Sequence, residues 1–103
     1  MVIKNKINVS NADIVSFCRK YHIRKLSLFG SALHGDLRLE SDIDLLVEFE
    51  EEHIPSIFGL VQMEEELSPL LGGRKVDMRT PNDLSRYFRN EVIKSAEVLH
   101  VEP

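Results

Sequence analysis

Ser41-Asp42-Ile43-Asp44-Leu45-Leu46-Val47-Glu48-Phe49-Glu50 is the stretch on which the fold turns. Ile43, Leu45, Val47 and Phe49 recur at period two, which predicts a strand with one face in a core. The same alternation places Asp42, Asp44, Leu46 and Glu48 on the opposite face. Aspartate is disfavoured inside strands, and two on adjacent same-face positions repel. A cation held between them offsets that repulsion and keeps both ionised. A bare Asp-x-Asp also reads as a solvated strand face, so the flanking sequence decides.

Upstream, Lys25 to Phe29 predicts a short strand carrying Leu26 and Leu28. Gly30 ends it where a bulkier residue would block the approach of a ligand to the backbone. Ser31 adds a hydroxyl beside backbone N–H groups, which point at an anion if Ala32–His34 begin a helical turn. Ten residues separate Ser31 from Asp42. Downstream, Gly72-Gly73 and Thr80-Pro81 bracket a strand from Lys75 to Arg79. Val76 and Met78 face one way there, and Lys75, Asp77 and Arg79 the other. Asp77 is a third carboxylate for a site holding two divalent ions ~4 Å apart; its alternative is an ion pair with Lys75 or Arg79 on an exposed sheet face. The turn that can take a phosphate and the carboxylates that can take a metal together favour the metal site.

Phe29-Gly30-Ser31, Gly35, Ser41-Asp42-Ile43-Asp44-Leu45-Leu46-Val47 and Val76-Asp77 resemble the motifs of the minimal nucleotidyltransferases, a small branch of the DNA polymerase beta-like superfamily. The likeness covers nearly the whole chain, including Leu84–Leu99 as the closing helix. It implies that Asp42, Asp44 and Asp77 bind two magnesium ions and act in catalysis. It also implies that Gly30 and Ser31 hold the triphosphate of a nucleotide such as ATP, and that Asp77 receives or orients the proton of an attacking hydroxyl. Relatives often carry arginine where His34 stands. Histidine is shorter and mostly neutral at pH 7, which leaves charge compensation for the phosphates weaker or passes it to Arg38. The resemblance further implies the enzyme half of a prokaryotic toxin–antitoxin pair. Such an enzyme transfers AMP from ATP to a tyrosine hydroxyl of a HEPN-domain RNase toxin. The alternative is a non-catalytic antitoxin that masks its HEPN partner by contact.

Composition bounds the acceptor. The 103 residues make one domain, 1–103, with a real core and no room for a separate substrate domain. A net charge of −4 argues against extended nucleic-acid binding. The acceptor is therefore expected to arrive on a partner protein. Cys18 is the only cysteine, and His22, His34, His53 and His100 are scattered without ligand spacing, so no zinc cluster is expected. One cysteine, no secretory leader and no long apolar run predict a cytoplasmic protein without a membrane segment.

The remaining segments predict helices. The first starts at Ser10 or Asn11, with Asp13 at its positive end and Ile14, Phe17, Cys18 and Tyr21 inward. A second runs from Ser56 to Leu71 with Ile57, Leu60, Val61, Leu67, Leu70 and Leu71 inward and Glu64-Glu65-Glu66 mostly outside. Gly72-Gly73 stops it. A third starts at Thr80-Pro81-Asn82-Asp83, with Thr80 as cap and Asp83 reaching back, and buries Leu84, Tyr87, Phe88, Val92, Ala96 and Leu99. Arg86 and Tyr87 could touch a nucleotide, although a half-buried core tyrosine is the preferred reading. The order of elements predicts an α/β (α+β) fold: a small mixed β-sheet, helices mainly on one face, and the metal face open.

Overall fold

The computed structural model describes residues 2–3, 7–29, 42–87 and 89–102. Its centre is a four-stranded sheet. The strands are β3 (Ile23–Phe29), β4 (Ile43–Phe49), β5 (Val76–Arg79) and β6 (Glu97–Val101), following a two-residue pair, β1 (Val2–Ile3) and β2 (Ile7–Asn8). The sheet order is β5-β4-β3-β6. β3 runs antiparallel to both β4 and β6, whereas β4 and β5 are parallel. A parallel pair needs a crossover, and α2 (Ile57–Leu67) provides it.

One face of the sheet carries the core. Leu26, Leu28, Ile43, Leu45, Val47, Val76 and Met78 pack there with Ile14, Phe17 and Cys18 of α1 (Asn11–Lys20), and with Met63 and Leu67 of α2. The start of α1 is where the sequence puts it: Ser10 Oγ accepts from the Asp13 N–H at 3.3 Å. At the far end of α1, the Tyr21 hydroxyl donates to Glu66, and Lys20 Nζ lies 2.7 Å from Glu66 Oε1, which ties α1 to α2. These bonds raise the Tyr21 pKa and lower that of Glu66, because the carboxylate is the partner in each.

The second helix departs from expectation only near its start: Leu60 and Leu70 pack against the core as expected, but Ile57 and Val61 do not. Met63, Leu67 and Leu71 are buried, while Ile57 and Val61 are 71% and 46% exposed. Apolar residues occupy so much of this helix that its sequence does not fix which side turns inward. It ends in a tighter turn, Ser68–Leu71, closed by Gly72 at φ 75°, a left-handed conformation glycine takes without steric penalty.

The closing helix is the larger correction. Thr80 and Asp83 do cap a turn, with the Thr80 N–H 3.0 Å from Asp83 Oδ2, but that turn stops at Asp83. Helix α3 spans only Arg89–Ser95. Glu97–Val101 is then a strand on β3, with Leu26 opposite His100 and Ser27 opposite Val98. The β-branched valines around Leu99 and His100 favour this extended pairing over another helical turn. Tyr87 is 83% exposed rather than half-buried.

The sheet's second face is not wholly open. Leu46 and Ser27 are buried there at 3% and 2% exposure, and the Pro81–Asp83 turn lies against β4. At the end bearing the aspartates, Asp42 is exposed and Asp44 and Asp77 are half-buried. Among the described residues, no helix is long and apolar enough to cross a membrane.

Candidate active site

Three of the five residues singled out from sequence converge. The parallel register sets Asp44 directly beside Asp77, Ile43 beside Val76 and Leu45 beside Met78. Neighbouring strands lie about 4.8 Å apart, so Asp44 and Asp77 project from adjacent backbone positions onto the same face. Asp42 immediately precedes β4, and the Ile43 N–H donates to the Lys75 carbonyl at 2.8 Å, which holds this end of the two strands together. On the other side of β4, Asp44 sits opposite Phe29, the last residue of β3. Gly30 and Ser31, with His34 and Arg38, lie outside the described residues.

Cationic side chains surround the carboxylates. Lys75 Nζ is 3.9 Å from Asp42 Oδ2, and Arg79 Nη2 is 3.2 Å from Asp77 Oδ2. The ion-pair alternative for Asp77 is therefore present geometrically, in the same place as the proposed ligand set. Both readings express one fact: three carboxylates in this space attract positive charge. The donors are all oxygens, which suits a hard divalent ion such as magnesium rather than zinc.

The sequence reading missed Glu64. Its side chain leaves α2 and accepts the Met78 N–H at 2.8 Å through Oε2. β5 lies at the edge of the sheet, so its outward N–H groups have no further strand to pair with. Glu64 satisfies one of them and fixes the residue next to Asp77. A signal was available: Glu64 lies four residues after Leu60 and three before Leu67, a charge set on an apolar stripe.

A depression of about 360 Å³ runs along this edge, lined by Ile57, Leu60, Val61, Glu64, Asp77, Met78, Arg79 and Asp83. Beside it, Ile54, Ile57, Phe58 and Val61 stand 69%, 71%, 82% and 46% exposed. Ile57, Phe58 and Val61 lie in the first two turns of α2, where spacings of three and four bring them to one side.

Paired aspartates on two parallel strands, after a preceding antiparallel strand, are the arrangement expected of a nucleotidyltransferase. A family model described as polymerase beta, nucleotidyltransferase, matches residues 12–102, and the chain belongs to that family as a minimal nucleotidyltransferase. Among particular proteins, it is similar to the protein adenylyltransferase MntA of Thermococcus cleftensis, with 37% identity over 82 residues covering 80% of this chain and 78% of that one. A solved structure of a candidate minimal nucleotidyltransferase superposes with a TM-score of 0.67 at 31% identity, covering 84% of this chain and 85% of the other. A crystal structure of a toxin–antitoxin with AMP-PNP gives a TM-score of 0.71 at 20% identity, covering 91% and 75%, and supports the fold alone.

Proposed function

We propose that this chain is a magnesium-dependent protein adenylyltransferase. It moves AMP from ATP onto a hydroxyl of a partner protein, a tyrosine of a HEPN-type RNase toxin, and so acts as its antitoxin. The observation that carries this reading is the side-by-side register of Asp44 and Asp77 with Asp42 at the same strand end. Similarity to a protein named as an adenylyltransferase supports the reaction, and the likeness to a toxin–antitoxin structure with AMP-PNP agrees with the nucleotide and the biological setting.

In this mechanism Asp42, Asp44 and Asp77 would hold two magnesium ions, with Gly30 and Ser31 gripping the triphosphate. Bound magnesium supplies charge neutralisation for the triphosphate and for the departing pyrophosphate. The acceptor oxygen forms a bond to the α-phosphorus while the bond from that phosphorus to the β-phosphate bridging oxygen breaks. Asp77 takes or orients the acceptor proton, and Arg79 keeps its carboxylate directed along the sheet face. Catalysis by these residues is mainly positioning and charge placement.

The exposed apolar residues of α2 support a protein acceptor. Ile57 and Val61 line the same depression as Asp77, so a partner seated on them delivers its own side chains to the carboxylates. The exposed part of Ile57, Phe58 and Val61 comes to on the order of 400 Å², within the range of the largest apolar patch of a typical monomer.

The test is intact mass spectrometry of the HEPN-type partner after incubation with this chain, ATP and magnesium. Addition of an AMP mass that disappears with Asp42→Asn/Asp44→Asn is the expected result. An unmodified partner in a tight complex, neutralised equally by that double variant, would establish the masking antitoxin instead.

A further inference from the structure

His22, Glu50 and His53 converge at the end of the β3–β4 pair opposite the aspartates, against the sequence expectation that the histidines are scattered. One ligand atom from each lies within 4.8 Å of the other two. We propose that these three side chains form a second metal site, for a borderline divalent transition ion such as zinc, distinct from the magnesium site.

The local backbone builds it. Glu50 precedes a turn of 3₁₀ helix, Glu51–His53. A 3₁₀ helix repeats every three residues, so side chains three apart eclipse, and Glu50 and His53 emerge on one side. The His53 N–H donates to the Glu50 carbonyl at 2.9 Å, which fixes that turn. His22 arrives from the other strand. It follows α1 with φ 57°, a left-handed position where glycine or asparagine is the usual occupant. The Glu50 N–H donates to the His22 carbonyl at 3.0 Å, so the two backbones are clamped at this level. The rings of His22 and His53 then stack, 3.6 Å between centroids and 11° apart in plane, with His22 Nδ1 3.5 Å from Glu50 Oε2.

Two imidazoles and a carboxylate are a zinc ligand set that leaves one position for water. With metal–ligand bonds of about 2.0–2.1 Å in a tetrahedron, ligand atoms stand about 3.4 Å apart. The present spread closes to that by splaying the stacked rings and turning the Glu50 side chain. All three residues are exposed, so no packed core resists the movement. The neighbouring cation, Arg24, points its guanidinium at Glu48 Oε1, 3.4 Å away. Register separates this site from the aspartates: Ile23 lies opposite Phe49, and Phe29 opposite Asp44. Six strand residues at about 3.4 Å each make roughly 20 Å. An ion there pins the entry to β3 against the exit from β4 without touching the reaction centre.

Cobalt(II) and zinc titration of the full chain tests this, read by visible absorption and by the imidazole NMR signals. In the Asp42→Asn/Asp44→Asn/Asp77→Asn background, the expected result is one equivalent of bound cobalt with tetrahedral d–d bands and shifted His22 and His53 resonances. His53→Ala and Glu50→Gln, both at exposed positions, should each weaken zinc at least about tenfold. Retention of full affinity by His53→Ala would overturn the site. So would metal binding that vanishes with the aspartates, or histidine signals that do not move at millimolar metal.

Discussion

The contact between Glu64 and the Met78 N–H makes a pointed test of how the edge strand is held. Glu64→Ala removes a charged acceptor 2.8 Å from a backbone amide and leaves that amide without its partner. Hydrogen bonds to charged groups contribute about 1.5–3 kcal/mol. Glu64 is half-buried, so water replaces part of the interaction and about 1–2 kcal/mol is the expected loss. In a domain of this size 1 kcal/mol displaces the melting midpoint by roughly 4–8 °C, which places Glu64→Ala roughly 5–15 °C below the parent. Glu64→Gln keeps a neutral oxygen of the same reach and should lose about half as much. Differential scanning calorimetry measures the midpoints, and amide hydrogen exchange reads the contact itself, because Met78 should lose protection selectively. AMP transfer should fall by up to about tenfold in kcat with little change in the KM for ATP, since Asp77 is displaced rather than removed. Unchanged Met78 exchange in Glu64→Ala, or a Glu64→Gln variant as unstable as the alanine, would refute the reasoning.

Single substitutions Asp42→Asn, Asp44→Asn and Asp77→Asn should each reduce nucleotidyl transfer by roughly 10²–10⁴-fold, while unfolding free energies stay within about 1 kcal/mol, as activity assays and denaturant titration would show. Phe58→Ala should weaken the complex with the acceptor protein by roughly thirtyfold or more, measured by calorimetric titration, and barely move the melting midpoint of the free chain. Burial, with a smaller contribution from Glu102, pushes the Cys18 thiol up to about 12, against 9.0 for the free group. The unfolded chain therefore sheds this proton first: the contribution is complete below pH 9 and declines from there toward pH 12, by about 1.4 kcal/mol at pH 10. Urea titrations at pH 8 and pH 10 should show that extra decline in the parent and not in Cys18→Ala.

The central strands were legible because their signal is local. Ile43, Leu45 and Val47 alternate over a few residues, and a half-buried strand is the only element with that period. The neighbourhood of Asp44 and Asp77 was legible through chemistry: one carboxylate pair calls for a third. The role of Glu64 and the pairing of β6 were harder to read for a common reason. Each is decided by something distant in sequence: the free edge of β5 and the open side of β3. The approach of His22 to His53 is of the same kind, since strand pairing and not spacing joins them. Gly30 and Ser31 lie outside the described residues, so their part in the reading rests on sequence alone.

The pairing of Lys25 with Val101 has a consequence for synthesis. β3 and β4 are close in sequence and can meet early, while the strand covering the other side of β3 is translated only after β5 and α3. Until residues 97–101 clear the ribosome, β3 has one flank uncovered, and such a flank readily accepts foreign strands. The nascent chain thus carries its aspartate pair long before its sheet is closed.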